Sequence, residues 1–281
     1  MTVECSLVVT VRNEAGRIGR LLASLEGQAG LREVIDVDAA STDATVSEAQ
    51  AFATRLPLKV ISTPCSRGAG RNLGASLATG ELIAFTDGDC QAETGWIQAL
   101  REAWDGDALR VVAGATTLEG RAGFARLHRV ELPHRGQDTT WPSCNLAYPR
   151  ALFERLGGFD PAFVTAEDID LNYRAVALGA RIVHAPAARV RAQARSTLRG
   201  FLRQAYWNGY GRKQLTLKHG RLWRDYSFRR LVRLQALTPS ALLRMGAGLV
   251  GYLDAKLGRP PPWGAGQGTQ GSTPSPPATT A

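Results

Sequence analysis

Apolar and polar positions along the first 120 residues switch between two periods. Leu7-Val8-Val9-Thr10-Val11 is a short β-branched run, and Ile18, Leu21, Leu22 and Leu25 follow at helical spacing. Val34-Ile35-Asp36-Val37 and Leu58-Lys59-Val60-Ile61 predict a second and third strand. Between them, Ser41-Thr42-Asp43 supplies cap-type residues for a helix near 45–54. A helix over 69–78 precedes the apolar run Glu81-Leu82-Ile83-Ala84-Phe85-Thr86, which Gly80 and Gly88 bound as a buried strand. A helix over 96–104 then leads to the strand Arg110-Val111-Val112-Ala113. Strands separated by helices of this length predict an α/β fold with a doubly wound, mostly parallel sheet flanked by helices.

From about Gly120 the pattern loosens. Asn145-Leu146-Ala147-Tyr148 reads as a strand, followed by a short helix over 150–156 and the turn Gly157-Gly158-Phe159-Asp160-Pro161. A helix over 168–178 is closed by Gly179, and Arg181-Ile182-Val183 returns as a strand. Two basic amphipathic helices are predicted over 197–209 and 221–237, then a more apolar one over 240–257. Residues 258–281, rich in Pro, Gly, Ser and Thr, cannot bury a core and are expected to be disordered. The domain reading is a first unit over 1–215 with halves at 1–119 and 120–215, the C-terminal helices over 216–257, and the tail.

Charge changes this picture at one place. The chain has 281 residues and a net charge of +9, but residues 189–259 hold 16 Lys and Arg against 2 Asp and Glu, a surplus of 14 that leaves the remainder acidic. Such a segment suits anionic lipid, nucleic acid or a polyanionic substrate, or is simply a solvated helix surface. No apolar stretch reaches the roughly 20 residues of a membrane-spanning helix. No basic-then-apolar leader precedes the first strand, so no signal peptide is read. Cys5, Cys65, Cys90 and Cys144 lack paired spacing and look like free thiols of a reducing compartment, which makes a cytoplasmic location the expectation.

Four polar clusters fall at the carboxyl ends of predicted strands, where a doubly wound sheet binds its ligand. They are Arg12-Asn13-Glu14, then Asp38 with Ser41-Thr42-Asp43, then 67–72 with Arg67 and Arg71, and last Asp87-Gly88-Asp89. Two carboxylates one residue apart offer the hard oxygen ligands that suit Mg²⁺ or Mn²⁺ held largely through substrate phosphates. Asp-Gly is also ordinary turn chemistry, so the triplet gains weight only from its neighbours. The set suits a nucleotide diphosphate. No G-x-G-x-x-G follows the first strand and no G-x-x-x-x-G-K-[ST] occurs, which argues against a dinucleotide fold and a P-loop.

Taken in order, Val9 to Glu14, Val37 to Asp43, Gly70-Arg71-Asn72-Leu73-Gly74 and Phe85 to Asp89 resemble the successive motifs of family 2 glycosyltransferases of the GT-A fold. Asn145 to Tyr148, Gly157 to Asp160 and Glu167-Asp168-Ile169-Asp170-Leu171 continue the likeness, which covers roughly residues 5–215 by inspection. The resemblance implies a nucleotide-sugar-binding half over 1–119 and an acceptor-binding half over 120–215. It implies that Arg12 and Glu14 line the donor site, that Asp38 accepts a hydrogen bond from the base, and that Asp43 shapes the pocket. Arg71 approaches the diphosphate or orders the loop near it, Asp87 contacts ribose or metal, and Asp89 holds the metal. Asp168 is the implied catalytic base, with Glu167 orienting it. Glu167-Asp168 opens a helix, where the dipole and free N–H groups favour ionised carboxylates, so Asp168 is expected to stay deprotonated. Asp170 fits a structural role in the first turn.

Several positions depart from the family pattern. Ala39 stands where a second acidic residue is usual. Val190-Arg191-Ala192 replaces the Val-x-His that many relatives carry, leaving His184 as a further metal-ligand candidate against the more ordinary role of a packing or surface His. The Gln-x-x-Arg-Trp signature of processive synthases is absent; Arg203-Gln204-Ala205-Tyr206-Trp207 does not match it, which favours transfer of single sugars.

The expected function is an inverting transfer from a nucleotide-diphosphate sugar, UDP- or GDP-linked, to a hydroxyl of a glycan or lipid-linked, cell-envelope acceptor, with Mn²⁺ or Mg²⁺ and without nucleic acid. The basic helices suggest peripheral contact with the cytoplasmic membrane face. A nucleotidyltransferase lacks the Gly-rich, Lys-containing loop. A non-catalytic membrane- or nucleic-acid-binding protein would account for 189–259 but leave Asp38, Asp87, Asp89, Glu167 and Asp168 without a purpose.

Overall fold

The computed structural model describes residues 4–119, 131–193, 197–220, 222 and 239–260. The helix expected over 221–237, apart from Leu222, and nearly all of the 258–281 tail lie outside these residues. Strands β1 (Cys5–Val11), β2 (Leu31–Asp38), β3 (Leu58–Ser62) and β4 (Leu82–Asp87) alternate with helices α1 (Ile18–Leu25), α2 (Thr45–Gln50) and α3 (Arg67–Ser76). The chain continues through β5 (Cys90–Ala92), α4 (Trp96–Trp104), β6 (Arg110–Glu119), the small hairpin β7 (Pro133–His134) and β8 (Gln137–Asp138), and β9 (Leu146–Pro149). It then runs through α5 (Arg150–Arg155), α6 (Glu167–Ala177), β10 (Arg181–Gln193), α7 (Leu198–His219) and α8 (Pro239–Lys256).

Eight strands form one sheet in the order β3-β2-β1-β4-β9-β6-β10-β5. The β3-β2-β1-β4 half is parallel, as is the β6-β10 pair. β9 runs antiparallel between β4 and β6, and β5 pairs antiparallel with the outer end of β10. Both faces are covered, as a parallel sheet requires. On one face, Leu7, Val9, Val34 and Ala84 pack under α1 and α4, and the helical spacing of Ile18, Leu21, Leu22 and Leu25 buries all four. Each such side chain contributes roughly 1.5–3 kcal/mol. On the other face, Val8, Ile35, Phe85 and Tyr148 pack under α3, α5 and α6.

The structure differs from the sequence reading in extent. β6 continues to Glu119, and β10 continues past Val183 to Gln193 across an irregularity between Ala185 and Arg189. α7 does not stop near Gly209 but runs on to His219, across residue 215. A third, smaller core of Leu132, Phe163, Leu215 and Leu222 fastens the end of α7 to the segment before α6.

Candidate active site

The carboxyl ends of β1, β2 and β4 lie side by side, with Thr10 opposite Asp87 and Val11 opposite Asp38. The loops that follow β1 and β2 are laced together. Asn13, in a left-handed conformation, accepts from Thr42 N through Oδ1 at 2.9 Å, and its own N–H donates to Ser41 Oγ at 2.8 Å. Glu14 N donates to Thr45 Oγ1 at 2.8 Å, Ala15 N to Asp43 Oδ2 at 3.3 Å, and Gly16 N to Glu48 Oε2 at 2.7 Å. Asp43 also accepts from the Thr45 hydroxyl, and that bond together with backbone amides holds its carboxyl below the usual range. Its charge therefore organises the rim of the site. Arg12 is exposed at the end of β1.

Asp38 is fully buried. Its Oδ2 accepts from Ser62 Oγ at 2.6 Å and Ser41 N at 3.0 Å, while Oδ1 has no partner. A buried oxygen without a donor is costly, and a base N–H is the kind of group that satisfies it. Two residues earlier, Asp36 is also fully buried, and neither of its oxygens has a partner. Burial and the neighbouring Asp38 push its carboxyl up to about 7. Sequence reading treated Asp36 as an ordinary strand position, and nothing in the periodicity marks it.

At the end of β4, Gly88 sits so close to β1 that a Cβ there would stand 2.6 Å from Val11 Cγ1 and 3.2 Å from Glu14 Cγ. The glycine thus lets the Asp87-Gly88-Asp89 turn close against the β1 loop. Asp87 Oδ1 accepts from Arg71 Nη2 at 2.7 Å, and the side chain stays 39% exposed, leaving it reachable from solvent. Asp89, in the turn, is partly buried. Asp87 and Asp89 present hard oxygen donors. Among the described residues no three His, Cys, Asp or Glu side chains converge to cage an ion. The donor set fits a divalent cation that takes its other ligands from phosphate and water.

Arg71 links this turn to the opposite wall. It projects from α3, is 1% exposed, and donates through Nη1 to Glu167 Oε1 at 2.6 Å. Its guanidinium lies 5.4 Å from the centre of the Phe159 ring. Both terminal nitrogens are spent on carboxylates, and Arg71 is buried between them. Asn72, next to it, donates through its side-chain Nδ2 to Phe159 O at 2.7 Å and accepts from Phe159 N through Oδ1 at 2.8 Å, which pins the Gly157-Gly158 turn to α3.

Glu167 and Asp168 begin α6, behind Ala166, a non-glycine residue held at φ 65°. Such a conformation is uncommon and persists where packing over-determines it. Here α7 presses on it: a Cβ on Gly211 would meet Ala166 Cβ at 2.9 Å. Asp168 Oδ2 accepts from Ser143 N at 3.1 Å, and Oδ1 accepts from Ile169 N at 2.8 Å. Burial, with the Glu167 charge beside it, outweighs these amides and Arg71 and raises the Asp168 carboxyl to about 6. The helix start does not hold Asp168 low, as its position in the sequence suggests; desolvation wins. The group remains mostly ionised at neutral pH and is more basic than an ordinary carboxylate.

Asp170, in the same first turn of α6, is fully buried. It accepts from His219 Nε2 at 2.7 Å, Lys218 Nζ at 2.8 Å and Arg174 Nε at 2.8 Å. Burial works against its charge, but these three donors hold the carboxyl down at about 2. His184 stacks on Trp141 with ring centres 4.9 Å apart. Nothing in the sequence marks Ser143, which holds the candidate base; Asn145 enters there as the first residue of a strand motif, without its role of tying Trp96 to Ala115 and Ala188.

Residues 6–157 match the model for glycosyl transferase family 2, and residues 120–254 match that for glycosyl transferase family group 2. The chain is 28% identical to the pre-mycofactocin glycosyltransferase of Mycobacterium tuberculosis, an alignment covering 88% of this chain and 54% of the relative. It is 29% identical to the validoxylamine A glucosyltransferase of Streptomyces hygroscopicus subsp. jinggangensis, over 62% of this chain and 51% of the relative. The chain thus spans about half the length of these curated relatives. Among solved structures, it resembles the mannosyltransferase of Pyrobaculum calidifontis in complex with GDP-Man and Mn²⁺, with a TM-score of 0.62 and 22% identity over 91% of this chain and 76% of that one. It also resembles S. aureus TarS in complex with UDP-GlcNAc, with a TM-score of 0.59 and 18% identity over 92% of this chain and 93% of that one. These two likenesses establish the fold.

Proposed function

The chain belongs to glycosyl transferase family 2, and on that premise we propose that it moves one sugar from a nucleotide-diphosphate donor to a hydroxyl acceptor with inversion. The observation that carries the reading is the buried Arg71, which holds Asp87 of the β4 turn and Glu167 of the α6 start in one hydrogen-bonded unit. One side chain thereby spaces the acids suited to the donor from the carboxylate suited to the acceptor.

In this reading the unpartnered oxygen of Asp38 receives a base N–H, and Arg12 and Glu14 flank the donor. Asp87 and Asp89 would hold Mn²⁺ or Mg²⁺, which when bound offsets negative charge on the departing diphosphate. A ligand role for His184 fits less well, because its ring is engaged with Trp141. Asp168 takes the proton of the acceptor hydroxyl as that oxygen attacks the anomeric carbon. Its raised basicity supports this role while leaving it ionised near neutrality. Ser143 N and the Ile169 amide fix the carboxylate, and Glu167 is itself fixed by Arg71. A single displacement of this kind inverts the anomeric centre. The acceptor is a glycan, lipid-linked or of the cell envelope, and the donor base is uracil or guanine, as bound in the TarS and Pyrobaculum complexes.

The test is a thermal-shift panel of UDP-, GDP-, dTDP- and CMP-linked ligands with Mn²⁺, Mg²⁺ or EDTA, on wild type and Asp89→Ala. A ligand that binds only the folded state raises the melting temperature. Stabilisation by one nucleotide that needs metal and is lost in the variant supports the donor site. No shift at millimolar nucleotide rejects it.

A further inference from the structure

Helix α8 is apolar on both sides. One side packs on α7 at backbone contact: a Cβ on Gly209 would stand 1.8 Å from Gly248 O, and one on Gly251 would stand 2.1 Å from Tyr206 O. Ala241 and Ala255 are buried on that side. The opposite side carries Leu242, Met245, Leu249, Val250, Leu253 and Leu257, each 43–61% exposed. Their spacing places them on one continuous ridge. Two charged residues of α8 lie away from its crest: Arg244 is drawn into the packing beside Arg212, and Asp254 accepts from the Tyr206 hydroxyl at 2.9 Å. Lys256 follows the ridge in the last turn. A shallow apolar depression lined by Leu202, Leu242, Leu243, Gly246 and Ala247 runs along the seam with α7.

A ridge of this size in water calls for a partner. The charge of this part of the sequence identifies which: residues 189–259 carry the surplus of 14 positive charges, with Arg199, Arg203 and Lys213 on α7. An apolar helix face set in a strongly basic segment matches the headgroup and acyl boundary of an anionic leaflet. No helix among the described residues is long and apolar enough to cross a membrane, so the match is to lying in the interface.

The geometry points to the α8 ridge as the surface by which this chain docks on an anionic lipid bilayer, with α7 setting the position of the site relative to that surface. α7 bears α8 on one side and grips the segment that presents Asp168 on the other. Gln214 donates to Ala162 O at 3.1 Å and accepts from Val164 N at 3.2 Å, Lys218 donates to Asp160 at 2.6 Å, and His219 and Lys218 meet Asp170. Docking would therefore hold the α6 start at a fixed height over the lipid, where a lipid-linked hydroxyl is presented. This deepens the proposed function and rests on it for its purpose, while the binding itself is measured independently.

The experiment is flotation of the full chain with vesicles of phosphatidylcholine alone or with 30% phosphatidylglycerol (about a third anionic, to give the surface potential that attracts basic segments), on wild type and on Leu249→Glu/Leu253→Glu. Thermal shift with the stabilising nucleotide and light scattering are run on the same samples. The expected result is flotation with anionic vesicles only, at least tenfold weaker partition for the double variant, and equal nucleotide response in both. Wild type remaining unbound to anionic vesicles while still responding to nucleotide overturns the docking and leaves the proposed function standing. Equal flotation of wild type and variant overturns the ridge as the surface. A wild-type dimer that the variant reduces to monomer, with no flotation, assigns the ridge to a second copy instead. Flotation that depends on the ridge, with no nucleotide response, keeps the docking and rejects the donor site.

Discussion

The Arg71 guanidinium and the Glu167 carboxylate, 96 residues apart in the chain, meet at 2.6 Å in the interior with 1% and 3% of their side chains exposed. Removing the cation leaves the buried Glu167 with only the exposed Arg67, 3.7 Å away, and leaves Asp87 without its hydrogen bond. Arg71→Met is expected to cost about 3–5 kcal/mol, the range for breaking one partner of a buried pair. Arg71→Lys recovers only part of this, because one ammonium cannot reproduce the planar fork that reaches two separate carboxylates. Urea unfolding of the three proteins measures both. A cost below about 1 kcal/mol for Arg71→Met would show that the link carries little of the site's stability.

Asp168→Asn keeps the shape of the α6 start but cannot accept the acceptor proton. Sugar transfer is expected to fall by about 10²–10⁴-fold, with the nucleotide-induced thermal shift unchanged. Because the Asp168 carboxyl lies at about 6, kcat/KM for the wild type should rise with pH through that value and level off above it. A rate that is flat from pH 5 to 8 would remove Asp168 as the base.

Asp36 predicts a pH dependence of stability. Its folded-state value of about 7 lies above its ordinary 3.8. The folded chain therefore holds a proton that the unfolded chain releases. The stability this confers is full below 3.8, declines as pH rises, and is lost above about 7. Asp36→Asn, uncharged throughout, should raise unfolding free energy at pH 8 by roughly 2–4 kcal/mol relative to wild type, with a much smaller difference at pH 4. Melting curves at the two pH values decide this, and an equal effect at both would show that Asp36 does not lose its proton between them in the folded chain.

The helical hairpin depends on two glycines for its closeness. Gly209→Ala and Gly251→Ala each place a methyl carbon within about 2 Å of the partner backbone and must push the helices apart. Each is expected to cost about 1–3 kcal/mol, the usual range for overpacking, despite the higher helix propensity of Ala. Gly246→Ala, which meets nothing within 4 Å, should be neutral or slightly stabilising. Thermal unfolding of the three variants, with Gly246→Ala as reference, measures the difference.

Much of this fold was legible as periodicity. The α1 stripe, the β1 to β4 runs and the Asp87-Gly88-Asp89 turn each announce themselves within fewer than ten residues. What stayed hidden depended on distant partners. In β10, Ala188, Val190 and Ala192 point inward while Arg189, Arg191 and Gln193 point out, a period-2 pattern masked by small residues and by Pro186. The lacing of the β1 and β2 loops was visible as polar clusters, but their bonding pattern was not. Ser143 and Asn145 are ordinary polar residues until the fold brings Asp168 and Trp96 to them. The raised basicity of Asp168 is hidden for the same reason: the local helix start argues for the opposite sign, and burial in the fold, with the Glu167 charge beside it, reverses it.

The place of β9 governs how the chain must assemble. β1 to β4 can pair with one another as soon as residue 87 is made, but the free edge of β4 waits for Leu146 to Pro149, some sixty residues later. Until then an apolar strand offers unpaired amides and carbonyls to any passing chain. Closure of the sheet is thus a long-range event that waits on a segment some sixty residues further along the chain.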